Sequence, residues 1–162
     1  MPIVDFDALP DSARIWVFGA DRPVQGAAAH TFLAAVDNFL AQWKAHGVPL
    51  VCARDWRDDR FLVIGVDVTA EAASGCSVDG LFRTLQELER SVGARMVGGG
   101  RIFYRTSDGT SAVSRDEFAD LARHGAITPD TPVFDTTVTR MSDLRAKWEQ
   151  PAARTWAGSL VR

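Results

Sequence analysis

Apolar positions along this chain recur with two different periods, and the switches between them divide it into elements. Residues 13–19 (Ala-Arg-Ile-Trp-Val-Phe-Gly) are rich in β-branched and aromatic side chains and follow the turn Leu9-Pro10-Asp11-Ser12, which predicts a first strand. Phe32, Leu33, Val36, Phe39, Leu40 and Trp43 then recur at spacings of three and four, the apolar stripe of a helix, with Lys44, His46 and Gly47 as its basic last turn and glycine stop. Two short apolar runs, 49–53 and 60–67, flank the polar stretch 54–59 and predict an antiparallel hairpin; the second is apolar almost throughout, as a central strand should be. Val78, Leu81, Phe82, Leu85, Leu88 and Val92 lay out a second amphipathic helix closed by Gly93, and residues 94–97 supply one more short strand.

Strand, helix, strand, strand, helix, strand is the order of a ferredoxin-like βαββαβ unit, four antiparallel strands with both helices on one face. Gly98-Gly99-Gly100 has no side chains to pack, so the boundary between a unit at 1–98 and a second at 99–162 falls there. The second unit begins with a strand at 101–105, a turn at Ser107-Asp108-Gly109 and a strand ending at Val113. A helix opened by the capping box Ser114-Arg115-Asp116-Glu117 follows, then a turn at 127–132 feeding a strand through Phe134, giving a small ββαβ module. The fold class is therefore α+β. Three glycines reach only ~10 Å when extended, which predicts that the two halves pack together.

Composition narrows the function classes. With 46% hydrophobic and 24% charged residues the chain has apolar material for a core. A net charge of −3 argues against a general polyanion binder, so nucleic acid is not an expected partner. No apolar run approaches the ~18 residues of a membrane span and the first residues lack a basic and apolar leader, from which a cytoplasmic protein is expected. In that compartment Cys52 and Cys76 are expected as free thiols. His30, His46 and His124 form no metal-ligand spacing with them, so neither a metal nor a cofactor is expected.

One loop has the residue types for chemistry. Ser74-Gly75-Cys76-Ser77 joins an apolar strand to a helix, where unpaired N–H groups and the helix dipole favour an anion or a thiolate. Cys76 is the candidate nucleophile, with Asp67 and Asp79 as candidate carboxylates and the Ser74–Ser77 turn as a candidate anion site. The competing reading makes Ser74 or Ser77 an N-cap, Gly75 the turn and Cys76 a small packed residue.

Two resemblances add to this. Phe103-Tyr104, Asp108-Gly109, Val113-Ser114, Glu117-Phe118, Leu121, residues 125–131 (Gly-Ala-Ile-Thr-Pro-Asp-Thr), Val133-Phe134 and Trp148 are similar to the small GYF-like modules of bacterial proteins. That resemblance implies recognition of extended or proline-rich peptides on an aromatic surface, here Phe103, Tyr104, Phe134 and Trp148. Across its length, through Arg-Ile-Trp-Val, Gln-Trp-Lys-Ala-His-Gly, Ser-Gly-Cys-Ser-Val-Asp and Val-Phe-Asp-Thr-Thr, the chain also resembles an uncharacterised bacterial family often labelled "ABC transporter ATPase". A P-loop needs Gly-Lys-Ser/Thr, and neither Lys44 nor Lys147 follows a glycine, so the label's chemistry is not expected. The function expected from the sequence is a non-catalytic binding or adaptor protein for a peptide or protein partner, with homodimerisation open. The alternative is a thiol-dependent enzyme or a redox or anion sensor using Cys76.

Overall fold

Strand β1 (Arg14–Gly19) leads through α1 (Gly26–Ala41) and a tiny hairpin, β2 (Lys44–Ala45) and β3 (Val48–Pro49), into β4 (Cys52–Arg57) and β5 (Phe61–Val66). The computed structural model describes residues 3–162. After β5 come α2 (Gly75–Val92), β6 (Ile102–Thr106), β7 (Gly109–Val113), α3 (Arg115–Arg123), β8 (Pro132–Phe134), α4 (Met141–Lys147) and β9 (Glu149–Pro151). One sheet has the order β1-β5-β4 and the other β7-β6-β8-β9, with every named pair antiparallel. The molecule is an α+β protein.

Central β5 is buried along its whole length because both faces of its sheet are covered. Leu62, Ile64 and Val66 point into a core formed with Phe32, Val36 and Leu40 of α1 and Leu81 and Leu85 of α2. On the other face Val63 packs with Phe6, Leu9, Met141 and Leu144. This is why the run reads as continuously apolar: a strand covered on both faces has no polar side to show. Gly65 fits here for a steric reason, since a Cβ would lie 2.5 Å from Leu9 Cδ1.

The polar stretch 54–59 is not a loop. It supplies most of edge strand β4, and the reversal is confined to Asp58 and Asp59, both left-handed at φ 55° and 54°. Asp tolerates that conformation better than most residues, and the mirror-image turn matches strand twist. The stop expected for α1 is also different: the helix ends at Ala41, and His46 (φ 52°) with Gly47 (φ 78°) makes the turn of the β2–β3 hairpin. Leu50 N–H bonds back to the Trp43 carbonyl and closes that excursion.

Residues 94–97 form no strand, so the first sheet has three strands where four were expected. The amides of Met96 and Val97 donate to Glu89 Oε2 (2.5 and 3.0 Å), which takes them out of any ladder. Gly98, Gly99 and Gly100 then all adopt positive φ, outside the extended region that a fourth strand would need. Two elements without a sequence expectation, α4 and β9, complete the second half. The start of α4 ties it to the first sheet, through Ile15 N–H to Thr139 O (2.9 Å) and Met141 N–H to Ala13 O (3.0 Å).

Candidate functional site

The aromatic residues expected to form one partner surface divide between two places. Phe103 and Tyr104 are neighbours on β6, and successive strand residues face opposite ways. Phe103 packs with Phe134 and Trp148 around Phe61 of the first sheet, at centroid distances of 4.9–5.1 Å from that ring. Phe103 and Phe134 are buried there, and Trp148 is half-buried under the Arg57 guanidinium, 5.4 Å from its ring. Tyr104 turns to the other side of the β6 sheet against Phe118, 6.0 Å away. The trio thus forms the joint between the halves. Trp56 likewise packs on Phe32 (5.6 Å), whereas Trp156 is exposed.

The Ser74–Ser77 turn is an N-terminal cap. Ser74 Oγ accepts from Ser77 N–H (3.1 Å), and Ser77 Oγ accepts from Ser74 N–H (2.6 Å) and donates to Ser74 O. Both hydroxyls are therefore committed to the helix end, and Gly75 and Cys76 form the exposed start of its first turn. Cys76 is exposed and lines an open cavity of about 420 Å³ with Lys44, His46, Gln42, Trp43 and Phe39. The β2–β3 hairpin brings Lys44 and His46 there, a juxtaposition invisible to a reading in which both belong to a helix end. Asp67 and Asp79 do not line this cavity: Asp67 accepts from Thr69 N–H and Oγ1 in the turn after β5, and Asp79 is exposed on α2. Nor do they pair with nearby arginines, since Arg54 is held by Asp37 (2.8 and 3.0 Å) and Arg57 by Asp55 (2.7 Å).

The two thiols differ sharply. Cys52 is fully buried at the start of β4, and burial pushes its pKa up to about 11. At pH 8 such a thiol is ionised to about one part in a thousand. Iodoacetamide is therefore expected to label Cys76 at pH 8 and leave Cys52 intact in the folded chain, read by peptide mass; labelling of both at similar rates would contradict this packing. A second consequence is a stability slope. The folded chain keeps the Cys52 proton between about pH 9 and 11, where the unfolded chain loses it, so the stabilisation is complete below pH 9 and falls as pH rises to 11. Relative to Cys52→Ala, the parent chain should lose roughly 2 kcal/mol more across that interval by urea unfolding; parallel pH profiles would refute it.

A third place was not singled out by sequence. In β1 the odd residues present their backbone groups to the strand's outer edge, since Ile15 N–H reaches Thr139 O and Asp21 N–H reaches Arg95 O (2.9 Å each), whereas Ala20 N–H reaches Arg60 O beside β5. Between these two clamps, Val17 and Gly19 have no backbone partner on that side among the described residues. This unpaired edge, half-buried at Val17 and buried at Gly19, lines a cavity of about 350 Å³ at the junction of the halves. Phe82 and Met96 line one part of it, Phe103 and Val138 another, and Gly98, Gly100, Thr136, Thr137 and Thr139 complete the lining.

Comparison with family models, curated proteins and solved structures finds no significant match to this chain. Among the described residues no group of three or more His, Cys, Asp or Glu is placed to hold a metal, and no helix is long and apolar enough to cross a membrane.

Proposed function

We propose that the chain is a non-catalytic binding or adaptor protein for a peptide or protein partner, and that it engages this partner in the cavity beside β1. The single observation that carries the reading is the backbone of Val17 and Gly19, left unpaired between two bonded ends of β1 and lining a cavity walled by apolar side chains. We read residues 1–98 as a ferredoxin-like unit lacking its last strand, supported by the β1-β5-β4 order and the packing of α1 and α2 on one face. Residues 99–162 are read as a GYF-like module whose Phe103, Phe134 and Trp148 serve the joint, leaving Tyr104 and part of Trp148 for a partner. Membership of the uncharacterised bacterial family rests on the sequence stretches alone, and the lack of Gly-Lys-Ser/Thr stands against phosphate hydrolysis.

The test is titration of the 15N-labelled full chain with a mixed library of capped pentapeptides. Shifts confined to β1, Gly98–Gly100 and Thr136–Thr139 are expected; no shift anywhere at millimolar peptide would overturn the reading. A second reading, chemistry or sensing at Cys76, is favoured by the exposed thiol sharing a cavity with Lys44 and His46. A Cys76 that alkylates from pH 6 to 9 like an unperturbed thiol, near its usual pKa of ~8.5, would end it.

A further inference from the structure

We propose that the open stretch of β1 accepts an extended segment of a partner protein as an added strand, and that this segment is apolar, β-branched and carries a carboxylate that meets Arg101. The inference rests on the binding-protein reading above and gives the partner its chemistry. Strand addition follows from the backbone. The outward groups between the clamps are the Ile15 carbonyl and the N–H and C=O of Val17 and Gly19, a donor and acceptor row spanning about 13 Å of strand. A helix or a small molecule does not match that repeat, whereas an extended chain does.

The walls fix the side chains. Successive residues of an added strand point to opposite faces. On one side they would meet Phe82 and Met96, on the other Phe103 and Val138, so both sets are best apolar and branched. In the lining, Gly98 and Gly100 hold φ of 75° and 56°, and nothing lies within 4 Å of where their side chains would begin. The lining is thus low where an incoming backbone must pass.

The charge in the cavity lining favours a carboxylate on the partner. Arg101 is the only charged residue in the cavity lining. Its Nη2 is held by the carbonyls of Arg95 (3.2 Å) and Gly98 (3.4 Å), and its Nε is buried without a partner among the described residues. No carboxylate lies within 4.0 Å of it among those residues, whereas Arg54, Arg57, Arg105 and Arg145 each hold one. A guanidinium positioned by backbone carbonyls and free of an acid partner is complementary to an incoming carboxylate.

The experiment uses the 15N-labelled full chain and four synthetic probes. They are Ac-Thr-Val-Glu-Val-Thr-amide, the same peptide with Lys for Glu, and two versions N-methylated on one or the other alternate set of residues. The Glu peptide should slow amide exchange at Val17 and Gly19, and one of the two N-methylated versions should bind about tenfold or more weakly, having lost its strand hydrogen bonds. The Lys peptide should bind at least about threefold more weakly, and Arg101→Gln should abolish that preference. Because Arg101 also braces the glycine segment, the peptide comparisons on the parent chain decide the matter if the variant is unstable. Shifts that map only to the Tyr104 and Trp148 surface would overturn the strand site and the placement of the partner beside β1, leaving only the reading of the chain as a binding protein. Silence towards these probes and the mixed library alike would overturn both. Protection of Val17 and Gly19 that rises with protein concentration, without peptide, would give the edge to a second copy and overturn the partner assignment.

Discussion

Phe61→Ala is expected to lower the stability of the whole chain by about 3–5 kcal/mol, the usual range for removing a fully buried aromatic ring whose surroundings relax only in part. Phe61 has no exposed surface and lies 5.1 Å from Phe103, 4.9 Å from Phe134 and 4.9 Å from Trp148. All three partners come from the second half and Phe61 from the central strand of the first, so the ring is a shared core element. Collapse into the gap is opposed from two sides, because Phe103 also lies over Gly19, where a Cβ would come within 2.4 Å of the ring. Urea unfolding followed by tryptophan fluorescence should show one transition with an unchanged slope and a midpoint lower by at least about 1 M, given slopes of ~1–3 kcal/mol/M. A loss below about 1.5 kcal/mol, or separate unfolding of the two halves in the parent chain, would refute the joint.

Much of the first sheet was legible because its signals are local. The stripe from Phe32 to Leu40, the apolar run of β5 and the Ser74 cap of α2 each follow from neighbours a few residues away. What misled was polarity without context. Residues 54–57 look like loop because β4 is an edge strand whose charged side chains are half-exposed and paired with Asp37 and Asp55. Residues 94–97 look like a strand by composition, but their amides go to carboxylates instead of a ladder, Met96 and Val97 to Glu89 and Arg95 to the distant Asp21. Helix α4 is short, and its anchoring partners, Ala13, Asp11 and Leu9, lie more than a hundred residues away in sequence.

The candidate sites follow the same division. Cys76 at the start of α2 could be read from Ser74-Gly75-Cys76-Ser77, since a strand, a turn and a helix follow one another there. Lys44 and His46 beside it could not, because a two-residue hairpin carries them across. The edge of β1 was hidden for a different reason. An open edge is a statement about what fails to pair, and it exists only because two separate segments, 139–141 and Arg95, bond to the ends of the strand and skip its middle. No periodicity encodes such a gap. The aromatic pair Phe103-Tyr104 was visible as a motif, but its alternation on β6 sends the two rings to different cores.

Arg60→Ala is expected to cost about 2–4 kcal/mol, more than its place at the end of a surface turn would indicate. Arg60 is 3% exposed, and its guanidinium bonds across the joint: Nη1 donates to Ala20 O (2.8 Å), Nε to Thr110 Oγ1 (2.8 Å) and Nη2 to Thr110 O (3.3 Å). Burial lowers its pKa, with Asp21 opposing that shift and Arg101 adding to it, yet an arginine stays charged throughout any accessible pH. Truncation leaves the buried Ala20 carbonyl and the half-buried Thr110 acceptors without their donors and empties the space beside Phe103, whose ring centroid is 6.0 Å from the guanidinium. Arg60→Met should cost less than alanine because it keeps the apolar stem and removes a desolvated charge. Arg60→Lys should also fall short of the parent, since one ammonium cannot serve the forked geometry of three acceptors. Urea midpoints ordered parent, then Met and Lys, then Ala would fit this account, and three variants within about 0.5 kcal/mol of the parent would show that the buried fork contributes nothing to holding the halves together.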